Sequence, residues 1–255
     1  MLPSSVILVR TRFPENIGMA ARACANMGVS RLILVAPERW DYDKAAPLAT
    51  GKGQEVLANV TTVPTLAEAL KGHTMAIGTT ARTGGWRTSV MTPRKAAAKI
   101  AEHIATTETA AAEDTTAVAL VFGPEDRGLE NMETAQCTHL VTIPTAPDAS
   151  SLNLAQAVLI LLYECFTASL EHAYHPDRAP KGRKTSRAAT LEEQELLFAT
   201  LEETLSRIDF LPRENAGWFM RPLRQFFQRA ALRRHEFDIF MGICRQIPHP
   251  DKEKH

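Results

Sequence analysis

The first forty residues alternate between two hydrophobic patterns. VILV (6–9) and RLILVAP (31–37) are short apolar, β-branched runs, the pattern of buried strands. Between them, RTRFPENIGMAARACANMGVS places Ile17, Ala20, Ala21, Cys24 and Met27 three or four apart, as one face of a helix requires. Pro14 and Asn16 suit the start of that helix and Gly28 its stop. Strand, helix and strand in close succession form a βαβ unit, which predicts a parallel pair with a right-handed crossover. Arg22, the long charged residue in mid-helix, lies off the apolar stripe and faces either solvent or a site.

The alternation continues. MAIGTTAR (75–82) reads as a strand ending in Gly78-Thr79-Thr80, after a loop with short helices in GKGQEVLANV and TLAEALKG. TPRKAAAKIAEHIATT (92–107) reads as a helix with Thr92 as N-cap and Pro93 in the first position. AVALVF (117–122) and HLVTIP (139–144) read as two further strands around a short helix over 129–137, and a long helix runs from Leu152 to about Leu170. Strands alternating with helices predict an α/β domain with a mostly parallel sheet. In open sheets of this kind ligands bind outside the carboxyl ends of the strands. Two such ends lie close together here: one opens into Gly123-Pro124, Glu125, Asp126 and Gly128, the other into TAPDASS. One shared pocket is expected.

After Leu170 the pattern changes. HPDRAPKGRKTSRAA (175–189) is rich in proline, glycine and basic residues, with Arg178, Lys181, Arg183, Lys184 and Arg187 against Asp177. It reads as a linker, either merely soluble or able to follow a phosphate backbone. From Thr190 the spacing is helical again, Thr190 and Glu193 form a capping box, and two more helices follow. Residues 213–234 hold six arginines against Glu214. Trp218, Phe226 and Phe227 interleave with Arg221, Arg224 and Arg229; the aromatics are read as helical core and the arginines as a basic face.

Composition narrows the function classes. The 255 residues carry a formal net charge of zero, which excludes a globally basic nucleic-acid binder but not a local basic patch. Cys24, Cys137, Cys165 and Cys244 form no CxxC pair, so reduced buried thiols are expected rather than a zinc site or disulfide framework. Neither GxGxxG after the first strand nor GxxxxGK[ST] is present, which removes the common dinucleotide and P-loop readings. The start of the chain lacks a basic-then-apolar leader, and the apolar run at 154–166 is too short for a bilayer, so a cytoplasmic protein is expected.

Three segments, PENIGMAARACANMG (14–28), VFGPEDRGL (121–129) and IPTAPDASSLNLAQAV (143–158), resemble in order and separation the motifs of the SPOUT superfamily of RNA methyltransferases, TrmH/SpoU branch. The tail, with LEETLSRIDFL and FMRPLRQFFQRAALRRHEFDIFMGI, resembles the C-terminal extension of the TrmJ family, tRNA 2′-O-methyltransferases that act on anticodon-loop position 32. The resemblance implies a parallel-sheet methyltransferase domain over 1–170 with a C-terminal deep trefoil knot, a basic linker over 171–189 and a small all-α RNA-binding extension over 190–255. It implies S-adenosyl-L-methionine as cofactor, no required metal, tRNA as partner and a homodimer. Thr79, Thr80, Gly123, Glu125, Gly128, Ile143 and Leu152 fall at the family's cofactor positions, with Glu125 alternatively a helix cap. Asn16, Arg22, Ser151 and Asn153 fall at the active-site positions, Ser151 rather than Ser150 because it directly precedes Leu152-Asn153. Arg183, Lys184, Arg221 and Arg224 are expected to meet RNA. Three other readings remain at this point: methylation of ribosomal RNA or another tRNA position, a non-catalytic RNA binder, and an unrelated flavodoxin-like phosphate binder.

Overall fold

Consecutive residues of each central strand bury against opposite faces, because side chains alternate across a strand. In the computed structural model, which describes residues 2–81, 90–108, 117–146, 148, 151–174, 186–212 and 214–247, the strands are β1 (Ser5–Val9), β2 (Arg31–Val35), β3 (Thr61–Val63), β4 (His73–Thr79), β5 (Ala117–Phe122) and β6 (His139–Val141). Val6, Leu8, Leu32, Leu34, Ile77, Leu120 and Phe122 point to one face, and Ile7, Val9, Ile33, Val35, Ala76, Ala119 and Val121 to the other. All strand pairs are parallel, in the order β3-β2-β1-β5-β4-β6. Burial on both faces explains the near-continuous apolar runs.

The first face carries α1 (Pro14–Asn26), α3 (Gly53–Ala58), α5 (Pro93–Glu108) and α7 (Leu154–Tyr174), with the short α2 (Tyr42–Ala45) against α1. Pro14 is the first residue of α1 and Gly28, at φ +75°, follows its end, as the sequence predicts. Two close approaches shape this layer. A Cβ on Gly18 would sit 2.1 Å from the Ala45 carbonyl oxygen, and one on Gly53 would sit 2.8 Å from the Cα of Arg22. Both glycines let helix backbones touch.

The second face is covered by α4 (Leu66–Ala69), by Leu129 and Cys137 around α6 (Asn131–Thr134), and by Leu191 from the tail. The tail itself is α8 (Leu191–Arg207), α9 (Ala216–Ala230) and α10 (Arg234–Gln246), packed around Leu197, Phe198, Phe227 and Phe237. The Thr190–Glu193 capping box forms as expected. Burial alone would raise the Glu193 carboxyl, but hydrogen bonds from Arg187, the Thr190 backbone and Arg234 hold it down to about 2.

Four sequence expectations shift. β3 interposes a short, largely exposed TTV strand before β4, which begins at His73 rather than Met75. The strands expected to reach 37 and 144 end at Val35 and Val141. α7 begins at Leu154, because Asn153 caps it. Trp218 and Phe226 are half exposed, leaving Phe227 as the core member of that trio.

Candidate active site

The strand order reverses at β1: β2 and β3 lie on one side of it, and β5, β4 and β6 on the other. The carboxyl ends of β1 and β5 therefore flank a crevice, the place where an open α/β sheet receives a ligand. A chain of hydrogen bonds crosses it. Asn153 Nδ2 donates to Asn16 Oδ1 at 2.8 Å, Asn16 Nδ2 donates to Glu125 Oε1 at 2.7 Å, and the Arg12 backbone N–H donates to Glu125 Oε2 at 3.1 Å. Asn153 Oδ1 meanwhile accepts from the backbone N–H groups of Ala155 and Gln156 at 2.9 and 3.4 Å. One amide thus caps α7 and fixes the buried Asn16. Three segments, two of them more than a hundred residues apart, are locked together by these bonds.

Glu125 does not cap a helix. The capping box of α6 is made by Glu130 and Glu133, and both Glu125 oxygens are occupied by Asn16 and Arg12. Around it the charges pair in a ladder: Arg12 with Asp126 at 2.9 Å and with Glu38 at 3.2 Å, and Arg127 with Glu38 at 3.0 Å.

Gly123, Glu125 and Gly128 lie in the loop after β5. A Cβ on Gly123 would sit 2.3 Å from the carbonyl carbon of Gly128 and the nitrogen of Leu129, so the loop folds back on itself, and Gly128 turns it at φ +68°. Next to it, Gly78 allows the Cys137 sulfur in close. Thr79 Oγ1 donates to the Val121 carbonyl at 3.3 Å and the Thr80 N–H to the Val141 carbonyl at 2.8 Å. Ile143 and Leu152 are half buried on the adjacent loop. The three neighbouring strand ends β5, β4 and β6 therefore present one rim made largely of main chain, which fits a cofactor held by backbone groups.

Met91 pairs with Val141, its N–H donating to Leu140 and its carbonyl accepting from Thr142, both at 2.9 Å. Strand β6 is thus gripped on one side by the end of β4 and on the other by Met91. Residues 82–89, which lie between these two grips in the sequence, are outside the described residues.

Arg22 is exposed, and its guanidinium makes no ion pair among the described residues. Ser151 is exposed beside Asn153. Arg183 and Lys184 fall outside the described residues. Arg221 is exposed, whereas Arg224 is engaged: it pairs with Glu195 at 2.7 Å and lies 4.7 Å over the Phe198 ring. Arg12 was missed in the sequence, because its contribution is a backbone N–H that leaves no side-chain signature. Among the described residues no cluster of histidine, cysteine or acidic groups could hold a metal, and no helix is long and apolar enough to cross a membrane.

Comparison with known proteins agrees with this geometry. The model of the SpoU rRNA Methylase family matches residues 3–163, and that of the tRNA methyltransferase TrmJ C-terminal domain matches 192–255. A tRNA (cytidine/uridine/adenosine-2′-O-)-methyltransferase TrmJ of Pseudomonas aeruginosa is 40% identical over 242 residues, 93% of this chain and 91% of that protein. A tRNA (cytidine/uridine-2′-O-)-methyltransferase TrmJ of Salmonella typhimurium is 34% identical over 98% of both chains. The crystal structure of TrmJ from Z. mobilis superposes with a TM-score of 0.75 at 33% identity, covering 96% of this chain and 98% of the other. The flavodoxin-like reading is thereby set aside. With both parts matched in order and relatives aligned nearly end to end, this chain belongs to the SpoU methylase family and, within it, to the TrmJ proteins.

Proposed function

We propose that this protein methylates the ribose 2′-OH of tRNA with S-adenosyl-L-methionine, at a cytidine or uridine of anticodon-loop position 32, and that it works as a cytoplasmic homodimer without a metal. The observation that carries the reading is the Asn153–Asn16–Glu125 chain across the β1/β5 crevice, built from all three motif segments. The TrmJ relatives matched along both parts of the chain support the substrate. The residues divide into a methyltransferase unit expected over 1–170, which α7 extends to Tyr174, a basic linker from there to 189 and a helical RNA-binding unit over 190–255. The grip on β6 from both sides supports the deep knot, since a strand held between two parts of one connection is the arrangement that threading produces.

When bound, the cofactor supplies an already activated methyl group. The protein must then align one hydroxyl and manage one proton. The backbone rim at Thr79, Thr80, Gly123, Gly128, Ile143 and Leu152 holds the cofactor. Arg22, reaching the partner subunit's site, binds the phosphate beside the target and stabilises the developing oxyanion; a guanidinium stays protonated, so it acts by charge and hydrogen bonding. Ser151 and Asn153 orient the ribose. Glu125 acts indirectly, holding Asn16 and through it Asn153.

The test is transfer of a labelled methyl group to bulk bacterial tRNA, with the labelled nucleotide mapped, for wild type and Arg22→Ala. Label at a 2′-O in the anticodon loop is expected, with turnover lowered about 10²- to 10³-fold in the variant, as for loss of one oxyanion-stabilising donor. Normal turnover of Arg22→Ala rejects the assignment. Label only in ribosomal RNA rejects the tRNA substrate.

A further inference from the structure

A second cavity opens beside the crevice. It measures about 470 Å³ and is walled by Arg12, Phe13, Glu38, Arg39, Trp40 and Lys44. Two large aromatics line it with much of their surface open, Phe13 at 48% and Trp40 at 38%, and just outside its wall Tyr42, 45% exposed, meets Trp40 edge to face at 6.4 Å. Isolated surface aromatics need no explanation, but three together beside a catalytic crevice do.

The cavity shares its backbone with the site. Phe13 is the cap residue of α1 and its carbonyl accepts from the Asn16 N–H at 3.0 Å, while the preceding Arg12 N–H is held by Glu125. The opposite wall is tied to the same segment, because Glu38 and Arg39 both donate backbone N–H bonds to the Thr11 carbonyl. Arg10 and Ala36, where the chain leaves β1 and β2, stand at φ +48° and +41°, a left-handed conformation that costs energy for these residues and is often kept where it aims a functional loop.

The charges sort by use. Glu38 is occupied by Arg12 and Arg127, and Asp41 caps α2 and pairs with Lys44 at 3.5 Å. Glu15 stands exposed on the first turn of α1. Arg39 is exposed with its guanidinium unpartnered among the described residues. Open aromatic faces beside an unpaired arginine are the chemistry that takes an unstacked base by its π-face and the adjoining phosphate by its charge.

From this we infer that the Phe13–Trp40 cavity receives a nucleobase flanking the methylated nucleotide, stacked on Trp40, with its phosphate on Arg39. The inference rests on the RNA-methyltransferase reading and adds to it the place where the loop is splayed open. A base held here, on the segment that carries Asn16, pulls the target ribose into register with the crevice.

The experiment uses the full-length protein and RNA hairpins of the anticodon stem-loop, intact or with a single abasic ribose at each position next to the target. Trp40→Ala is expected to raise the RNA KM about tenfold, the loss of one stacked base, with turnover at saturating RNA unchanged and Trp40→Phe largely restoring it. One abasic hairpin should weaken wild type by a similar factor and leave Trp40→Ala unaffected, since the two changes remove the same contact. Equal KM values for Trp40→Ala and wild type overturn the proposal, as does an abasic penalty that persists in the variant. An altered oligomeric state of Trp40→Ala by sedimentation also overturns it, making the aromatics a face between copies. If wild type modifies only ribosomal RNA, the tRNA reading fails, and the same cycle on a fragment of that RNA still decides the cavity.

Discussion

The two ends of the parallel sheet hold polar residues in different ways. At the carboxyl end, buried Asn16, partly buried Glu125 and exposed Asn153 join into one chain that spans three segments and ends two residues from exposed Ser151. At the amino end, each buried histidine meets a hydroxyl close by in the sheet, and Thr74 Oγ1 also donates to the Ala117 carbonyl at 3.3 Å. His73 Nε2 lies 2.6 Å from Ser5 Oγ, and His103 Nε2 lies 2.8 Å from Thr74 Oγ1, both pairs buried. Burial, followed for His103 by the charge of Arg233, pushes the His103 and His139 imidazoles down to about 4 and keeps them neutral. A local pair satisfies the fold, whereas a chain across segments transmits the position of one residue to another. A buried histidine or serine is therefore weak evidence of chemistry here, and a linked asparagine is strong.

The contrast is tested hardest at Gly123. Gly123→Ala places a methyl group 2.3 Å from backbone on the far side of its own loop, so the loop must open. The expected result is a loss of about 3 kcal/mol of stability, the cost of forcing a group into packed atoms, and loss of cofactor binding in calorimetry. A variant that binds the cofactor as tightly as wild type would separate that loop from the site.

A smaller effect should follow at the centre of the chain. Glu125→Gln keeps an acceptor for Asn16 but turns an amide donor toward the Arg12 N–H, loosening one of two bonds. Turnover is expected to fall about tenfold, roughly the worth of one charge-assisted hydrogen bond, with cofactor affinity and melting temperature nearly unchanged. A fall in stability without a fall in turnover would make the carboxyl-end chain no different from the amino-end pairs.

An effect on stability alone, with none on methyl transfer, concerns the amino end. His103 and His139 have folded-state values near 4, below the ordinary 6.5. The unfolded chain thus takes up protons first as pH falls, and the stability present above about 6.5 is lost progressively toward 4. Urea unfolding at pH 7 and pH 5 should differ by on the order of 1–2 kcal/mol per histidine. The corresponding His103→Gln protein should show a shallower dependence with its methyl transfer intact at pH 7.

Much of this contrast was legible in advance. The βαβ start, the Thr190 capping box and the loop at Gly123 follow from short-range rules, and the matched motifs placed Asn16 and Asn153 in one site before any contact was known. Less local features were not legible. β3 is three residues long with an exposed threonine pair, too short for alternation to register. The insertion of β5 between β1 and β4 is a matter of order in space, which periodicity does not carry. Trp218 and Phe226 sit at helical spacing with Phe227, yet only Phe227 turns inward, since the small tail lacks partners enough to cover all three.

Gly53 extends this argument to a residue with no functional group at all. Its hydrogen stands where any side chain would press on the Cα of Arg22. A screen for inactive variants would accordingly recover position 53 alongside position 22, and revertants of the former should arise in the neighbouring helices rather than in the crevice. The address of the arginine is written in a residue that never meets the substrate.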